Sequence, residues 1–333
     1  MEIRFAVIHQ INRQVIMKNK MKYMIASSFY LMILLIGSSL FSACSDDNEP
    51  ATIVPPVEEE DGNEPNEPSG EMGDPSQTDI YLWLEGNMPA TTSYQTVANS
   101  SNPDGPDFRP NIIRFPVVEG VPIKGAVLLC AGGAFQFRGN SGDCFPVARE
   151  LNALGYQCFV VNYRLRPYTQ QEGAQDLARA VRFVRLHADY YGIDADKIVV
   201  AGFSAGGILC GEQVLNYRGT VNGSSLDSRY VPDELDNISA DVKGIGHIYS
   251  FYGRLSVGST DVELFRRSNL PPTFYCWGTT DGFAGQFTAN ANAVEQAGVA
   301  VERYILEGWP HGYGARGNWI PTFDRWMTNV FNN

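Results

Sequence analysis

Gly202-Phe203-Ser204-Ala205-Gly206-Gly207 follows a β-branched apolar run, Lys197-Ile198-Val199-Val200-Ala201, and precedes Ile208-Leu209-Cys210-Gly211-Glu212-Gln213-Val214-Leu215. The first run reads as a buried strand and the second as a continuing helix. A strand, a sharp turn and a helix form the setting in which a serine is held exposed on a strained elbow. Gly202, Gly206 and Gly207 fit that reading, because strand and helix approach closely only where neighbours lack Cβ bulk. The pattern alone also fits a glycine-rich turn with a surface serine, so its meaning depends on the rest of the chain.

On both sides of this stretch, short apolar runs alternate with helical patterns. Ile112–Val118, Ala126–Cys130, Gln157–Tyr163, Lys197–Ala201, Gly244–Ser250, Thr273–Trp277 and Val301–Leu306 read as strands. Phe145–Leu154, Gly173–Tyr190, Ala205–Tyr217, Gln286–Ala297 and Trp319–Phe331 carry helical spacing. The alternation predicts an α/β fold, a mostly parallel sheet with helices on both faces. The segment Tyr217–Ala240 is polar and turn-rich, with too few large apolar residues to fold as an apolar flap, so a small lid or none is expected there.

The 333 residues, 44% of them hydrophobic, suffice for one large core. A net charge of −12 argues against nucleic acid as a partner. Twelve acids and no Lys or Arg fall within Asp46–Asp79, so the chain beyond is only mildly acidic. Residues 44–78, rich in Pro, Glu, Gly, Asn and Asp, read as a flexible tether. Before it, Lys18, Lys20 and Lys22, the apolar run Ile25–Phe41 and Phe41-Ser42-Ala43-Cys44 resemble a bacterial lipoprotein signal. That resemblance implies a lipidated Cys44, an exported protein, and a membrane link through the lipid alone. A cleaved signal and an uncleaved anchor are the alternatives. Ser45-Asp46-Asp47 resembles the acidic signal for the outer face of the outer membrane, or simply opens the tether. The expected organisation is 1–43 leader, 44–78 tether and 79–333 catalytic domain.

A serine hydroxyl becomes nucleophilic when a histidine takes its proton, and a carboxylate must orient that imidazole. Of four histidines, His9 lies in the leader, and His187 and His247 fall within predicted elements as packed residues. His311, in Trp309-Pro310-His311-Gly312-Tyr313-Gly314 after a strand end, is the expected base. Asp281, in Gly278-Thr279-Thr280-Asp281-Gly282, is the expected acid, with Asp261 and Glu263 in reserve. A tetrahedral oxyanion needs preplaced N–H donors. By position these are the amides of Gly133, Ala134 and Ala205, the first two in Ala131-Gly132-Gly133-Ala134-Phe135 after a strand. The other five cysteines read as buried free thiols. Carboxylates and histidines never cluster at ligand spacing, so neither metal nor cofactor is expected.

Over most of residues 80–331 these motifs resemble α/β-hydrolase carboxylesterases near the acetyl-xylan-esterase-like and hormone-sensitive-lipase families. The carriers include Leu82-Trp83-Leu84-Glu85-Gly86, Cys130-Ala131-Gly132-Gly133-Ala134-Phe135, Val161-Asn162-Tyr163-Arg164-Leu165, the elbow, Asp281 and the His311 loop, in the α/β-hydrolase order Ser, Asp, His. Ala131 stands where relatives have His or Pro, and Ala134 where they have a third glycine. The resemblance implies ester hydrolysis through an acyl-enzyme, with short acyl groups, notably acetyl, on plant polysaccharide or oligosaccharide. Phe135, Tyr252 and Trp309 are the expected substrate contacts, with Phe137, Phe283 and Tyr313 also near the loops. Arg138, Arg164 and Arg166 read as structural ion-pair partners. A serine peptidase of the same fold and a non-catalytic glycan-binding surface protein are the rival readings.

Overall fold

The computed structural model describes residues 73–94 and 103–333. Cys44, the leader and most of the tether lie outside the described residues.

The first strand is β1 (Asp79–Tyr81), followed by β2 (Asn111–Phe115), β3 (Gly125–Cys130), α1 (Cys144–Ala153), β4 (Tyr156–Asn162), α2 (Gln170–Leu186), α3 (Ala188–Tyr191), β5 (Ile198–Phe203) and α4 (Ala205–Asn216). Then come β6 (Gly244–Ile248), a small hairpin of β7 (Gly253–Arg254) and β8 (Val257–Gly258), α5 (Val262–Arg267), β9 (Thr273–Gly278), α6 (Ala284–Gln296), β10 (Val301–Leu306) and α7 (Ile320–Asn332). The eight-stranded sheet has the order β1-β2-β4-β3-β5-β6-β9-β10. β1 and β2 run antiparallel to their neighbours, and the remaining pairs are parallel. This is the α/β-hydrolase fold, a mostly parallel sheet flanked by helices.

Every residue of β3, β5, β6 and β9 is buried. That explains why these strands read as mostly apolar runs without polar alternation: helices cover both faces. β4 lies on one side of β3 and β5 on the other. Right-handed crossovers in opposite directions therefore place α1 and α2 on opposite faces, and they open a crevice beyond the carboxyl ends of β3 and β5. Cys130 pairs with Gly202 in register, so the loops that follow leave the sheet side by side.

The expected helix Gly173–Tyr190 starts earlier, at a capping box in which Thr169 Oγ1 accepts from the Glu172 amide and the Glu172 carboxylate from the Thr169 amide. It also breaks at His187, which departs from helical angles and packs its ring, tilted, 4.4 Å from that of Phe183. α5 and the β7–β8 hairpin are too short for periodicity to register. The segment 217–240 is no lid. Arg179, Arg182 and Arg185 of α2 hold it down, with Arg182 donating to Ile238 O (2.9 Å) and Val221 O (2.7 Å) and Arg179 to Asp233 (2.6 Å).

Candidate active site

Ser204 sits between β5 and α4 with φ 52° and ψ −119°, a backbone conformation that costs on the order of 1–3 kcal/mol for a side-chain-bearing residue. Its surroundings over-determine it. The Ser204 amide donates to Ile248 O (3.0 Å), and its carbonyl accepts from the Ser250 hydroxyl (2.7 Å) and the Gly207 and Ile208 amides. The flanking glycines are required by space. A Cβ on Gly206 would lie 2.0 Å from Cys130 O, one on Gly207 2.4 Å from Ser250 Oγ, and one on Gly202 2.3 Å from the Gly206 backbone.

The structure brings Ser204, His311 and Asp281 together. Ser204 Oγ lies 2.9 Å from His311 Nε2, and His311 Nδ1 lies 2.6 Å from Asp281 Oδ2. The Asp281 side chain is fully buried, and its Oδ1 accepts from the Phe283 amide at 2.9 Å. With one carboxylate oxygen held by the main chain, the other is left to accept Nδ1–H, which leaves Nε2 free to take the serine proton. The reserve acids are elsewhere: Asp261 accepts from the Leu264 amide to cap α5, and Glu263 pairs with Arg266 on the surface.

Gly132 lies against Ser204, since a Cβ there would stand 3.0 Å from Ser204 Cβ. Its amide is occupied by Asp143 Oδ2 at 2.9 Å. The amides of Gly133, Ala134 and Ala205 have no acceptor among the described residues, which leaves them available to a developing oxyanion. Ala134 and Phe135 both take left-handed angles, φ 53° and 59°, and so turn the loop without a third glycine.

Two cavities meet at Ser204, Ala134, Tyr249 and His311. One, of about 250 Å³, is walled by Ile208, Phe251, Leu255, Phe283 and Phe287. The other, of about 480 Å³, is lined by Gly132, Gly139, Ser141, Gly142, Asp143 and the exposed ring of Phe137. No residue of 217–240 lines either one.

The three expected substrate contacts are corrected by their placement. Tyr252 is fully buried, its hydroxyl 3.0 Å from Thr273 Oγ1 and its ring edge-on to His247. Phe135 is buried against Tyr163. Trp309 lines neither cavity, and its ring abuts Tyr313. Tyr313 is buried as well and donates to Cys276 Sγ, while Phe137 and Phe283 do reach the cavities. Arg164 forms a fully buried pair with Asp176, and Arg138 pairs with Asp104. Arg166 is exposed and makes no ion pair among the described residues. The five described cysteines are all buried free thiols.

Two site residues escaped the sequence reading. Asp143 Oδ1 accepts from the Tyr249 hydroxyl at 2.6 Å, and the Tyr249 ring lies 4.9 Å from that of His311. Burial pushes the Asp143 carboxyl above its ordinary range, against the lowering effect of the hydrogen bonds from Tyr249 and Gly132. Burial also drives the Tyr249 phenol far up, so it stays a donor. Their signal was positional: Tyr249 sits at the carboxyl end of a central strand, where open α/β sheets gather their sites.

With this geometry in place, similarity to known proteins can be weighed. The BD-FAE family model matches residues 114–254. The chain is 26% identical over 226 residues to an acetylxylan esterase of Xylanibacter ruminicola, covering 63% of this chain and 45% of that protein. It is likewise 26% identical over 224 residues to endo-1,4-beta-xylanase B of Butyrivibrio fibrisolvens, covering 62% of this chain and 35% of that protein. The chain thus spans less than half the length of these curated relatives. Among solved structures, an acetyl ester-xyloside bifunctional hydrolase from Caldicellulosiruptor lactoaceticus superposes with a TM-score of 0.60 at 24% identity, over 79% of this chain and 98% of that one. Thermogutta terrifontis esterase 2, phosphonylated by cyclosarin, gives 0.54 at 21% identity, over 68% and 91%. Carboxylic ester hydrolases thus stand among both the relatives and the structural neighbours.

Proposed function

We propose that this chain is a serine esterase that removes short acyl groups, acetyl above all, from plant polysaccharide or oligosaccharide. The observation that carries the reading is the unbroken relay from Ser204 through His311 to buried Asp281, set beside three unpartnered amides where two cavities meet. Similarity to proteins named acetylxylan esterase and acetyl ester-xyloside hydrolase supports the substrate class.

In this mechanism His311 Nε2 takes the Ser204 proton as Oγ adds to the ester carbonyl carbon. The carbonyl oxygen gains charge and accepts hydrogen bonds from the Gly133, Ala134 and Ala205 amides, each worth roughly 3–4 kcal/mol of barrier. The tetrahedral intermediate collapses as His311 passes the proton to the leaving alcohol oxygen, which leaves an acyl-Ser204. Water, deprotonated by His311, repeats the sequence to release the acid. Asp281 holds the His311 ring in place and stabilises the imidazolium as it forms. The apolar cavity beside Phe251, Leu255 and Phe283 takes the acyl group. The larger cavity, with main-chain polar groups, Ser141 and Phe137, takes the alcohol. The absence of a lid from 217–240 suits a polymer that must lie across the opening.

The deciding experiment is acetate release from acetylated xylan by the parent and by Ser204→Ala, with p-nitrophenyl acetate as the generic ester. Both substrates should be cleaved, and the variant should lose at least roughly a thousandfold. Cleavage of the generic ester alone would keep the mechanism and discard the polysaccharide. Cleavage of neither would favour a glycan-binding protein, and cleavage of an aminoacyl anilide instead would favour a peptidase. We further propose export and lipid anchoring to the outer membrane through Cys44, on the strength of the leader sequence. Cys44→Ser should then abolish labelling by a palmitate analogue.

A further inference from the structure

Three loops must hold their positions together for the relay to work: the oxyanion loop after β3, the loop after β6 and the histidine loop after β10. The Asp143 carboxylate closes the first by accepting from the Gly132 amide at 2.9 Å with Oδ2. Its Oδ1 reaches the second loop by accepting from the Tyr249 hydroxyl at 2.6 Å. That same hydroxyl oxygen accepts from the Gly314 amide of the third loop at 3.3 Å. The Tyr249 ring completes the connection, lying 4.9 Å from the His311 ring and edge-on to Tyr313 at 4.7 Å. The backbones also touch: a Cβ on Gly314, whose φ is +58°, would stand 2.2 Å from Gly142 O, the residue before Asp143.

We propose that Asp143 and Tyr249 are positioning residues that lock the oxyanion loop to the histidine loop, so that the amide donors and the imidazole keep a fixed spacing about Ser204. This rests on the esterase reading of the same site. Neither residue exchanges a proton with substrate. They act through the Gly132 amide and the His311 ring. Tyr249 is 2% exposed and itself held at φ 39°, an uncommon angle for an aromatic residue, which places its ring between the histidine and Asp143. A misplacement of about 1 Å in such a constellation costs on the order of a hundredfold in rate.

The test compares the parent with Tyr249→Phe, which deletes one oxygen and keeps the ring. Expected is a kcat on p-nitrophenyl acetate lower by roughly 10- to 100-fold with KM within about threefold, because ground-state binding is untouched. Asp143→Asn, whose amide can keep both links with one polarity reversed, should recover part of the rate that Asp143→Ala loses. Hydrogen exchange supplies a readout independent of activity. Peptides covering 131–139 and 311–317 should both exchange faster in Tyr249→Phe, while those covering the central strands stay as in the parent. A Tyr249→Phe enzyme within about twofold of the parent kcat overturns the proposal, and so does faster exchange confined to the Tyr249 loop. If the parent shows no Ser204-dependent hydrolysis, the esterase reading fails and the exchange measurement alone decides the coupling.

Discussion

His247 gives this protein a built-in acid liability whose size follows from its surroundings. It lies in the middle of β6, fully buried, with its ring stacked 5.2 Å from Tyr275 and edge-on to Tyr252 at 4.5 Å. Neither ring nitrogen has a hydrogen-bond partner among the described residues. Burial disfavours the charged form and holds the imidazole at a pKa of about 3. An unfolded chain protonates its histidine near pH 6.5. As pH falls below 6.5 the unfolded state binds a proton that the folded state refuses, so the stability present above that pH drains away between pH 6.5 and about 3. The slope is about 1.4 kcal/mol per pH unit until the folded state begins to titrate, giving roughly 2 kcal/mol lost by pH 5 and about 4 kcal/mol by pH 3 from this one residue. His247→Phe keeps a planar ring and removes the titration. Urea unfolding of parent and variant at pH 7 and pH 5 should show the parent losing about 2 kcal/mol more than the variant. His187, also held below its ordinary value by burial, shifts both proteins alike and cancels. Equal losses in the two proteins would refute the reasoning.

Three further outcomes bear on the site. Asp281→Asn leaves the fold intact but permits the wrong His311 tautomer, so kcat on p-nitrophenyl acetate should fall by about 10⁴, and a loss under tenfold would remove Asp281 from the relay. Gly206→Ala forces a Cβ to within 2.0 Å of Cys130 O, which must shift the elbow or the strand leading to the oxyanion loop. Fluorophosphonate labelling of Ser204 should be lost even in the soluble fraction. Leu255→Trp narrows the 250 Å³ cavity, so activity on p-nitrophenyl butyrate should fall at least about tenfold more than on the acetate. An equal loss on both esters would move the acyl group to the other cavity.

How much of this was legible beforehand divides along a physical line. The central strands were readable because burial on both faces leaves mostly apolar residues, as in Val127-Leu128-Leu129 of β3. Ser204, Asp281 and His311 were readable as loop residues because each follows a strand within a few turn-forming positions, and backbone connectivity limits where such loops reach. Side-chain direction was not readable. Tyr249 and Tyr252 stand three residues apart after the same strand, yet one turns to the histidine and the other into the core beside Thr273. Phe135 was expected in the pocket because it borders the oxyanion loop, but its ring turns to Tyr163 and it is Phe137, two residues on, that reaches the cavity. Asp143 looked like one more acid at a helix start, since its partners Gly132 and Tyr249 lie 11 and 106 residues away.

The three members of the relay are held by different means. Ser204 directly follows β5 and Asp281 stands three residues past the end of β9, so the buried sheet fixes both closely. His311 hangs from residues 307–319, a segment without regular structure between β10 and α7. Ordering such a segment opposes folding by roughly 1–2 kcal/mol per residue, and no ladder of backbone bonds offsets it. The loop is instead tied at many points to what lies beneath. Thr279 Oγ1 accepts from the Gly308 amide at 2.8 Å, Trp309 O from the Thr280 amide at 3.1 Å, and Gly314 O from the Trp319 indole at 2.9 Å. Gly308, Gly312, Gly314 and Gly317 all adopt positive φ, which lets the loop double back often enough to make these contacts. A Cβ on Gly278 would strike Trp309 O at 2.0 Å, so the aspartate loop and the histidine loop are in backbone contact. Trp309, expected as a substrate contact, and Tyr313 beside it are better understood as part of this anchoring. Their rings meet edge-on, and the buried Tyr313 hydroxyl reaches Cys276 of β9, the strand that ends three residues before Asp281. The aromatic residues around His311 thus serve first to hold the imidazole where the sheet alone cannot, while Phe137 and Phe283 stand at the cavity walls.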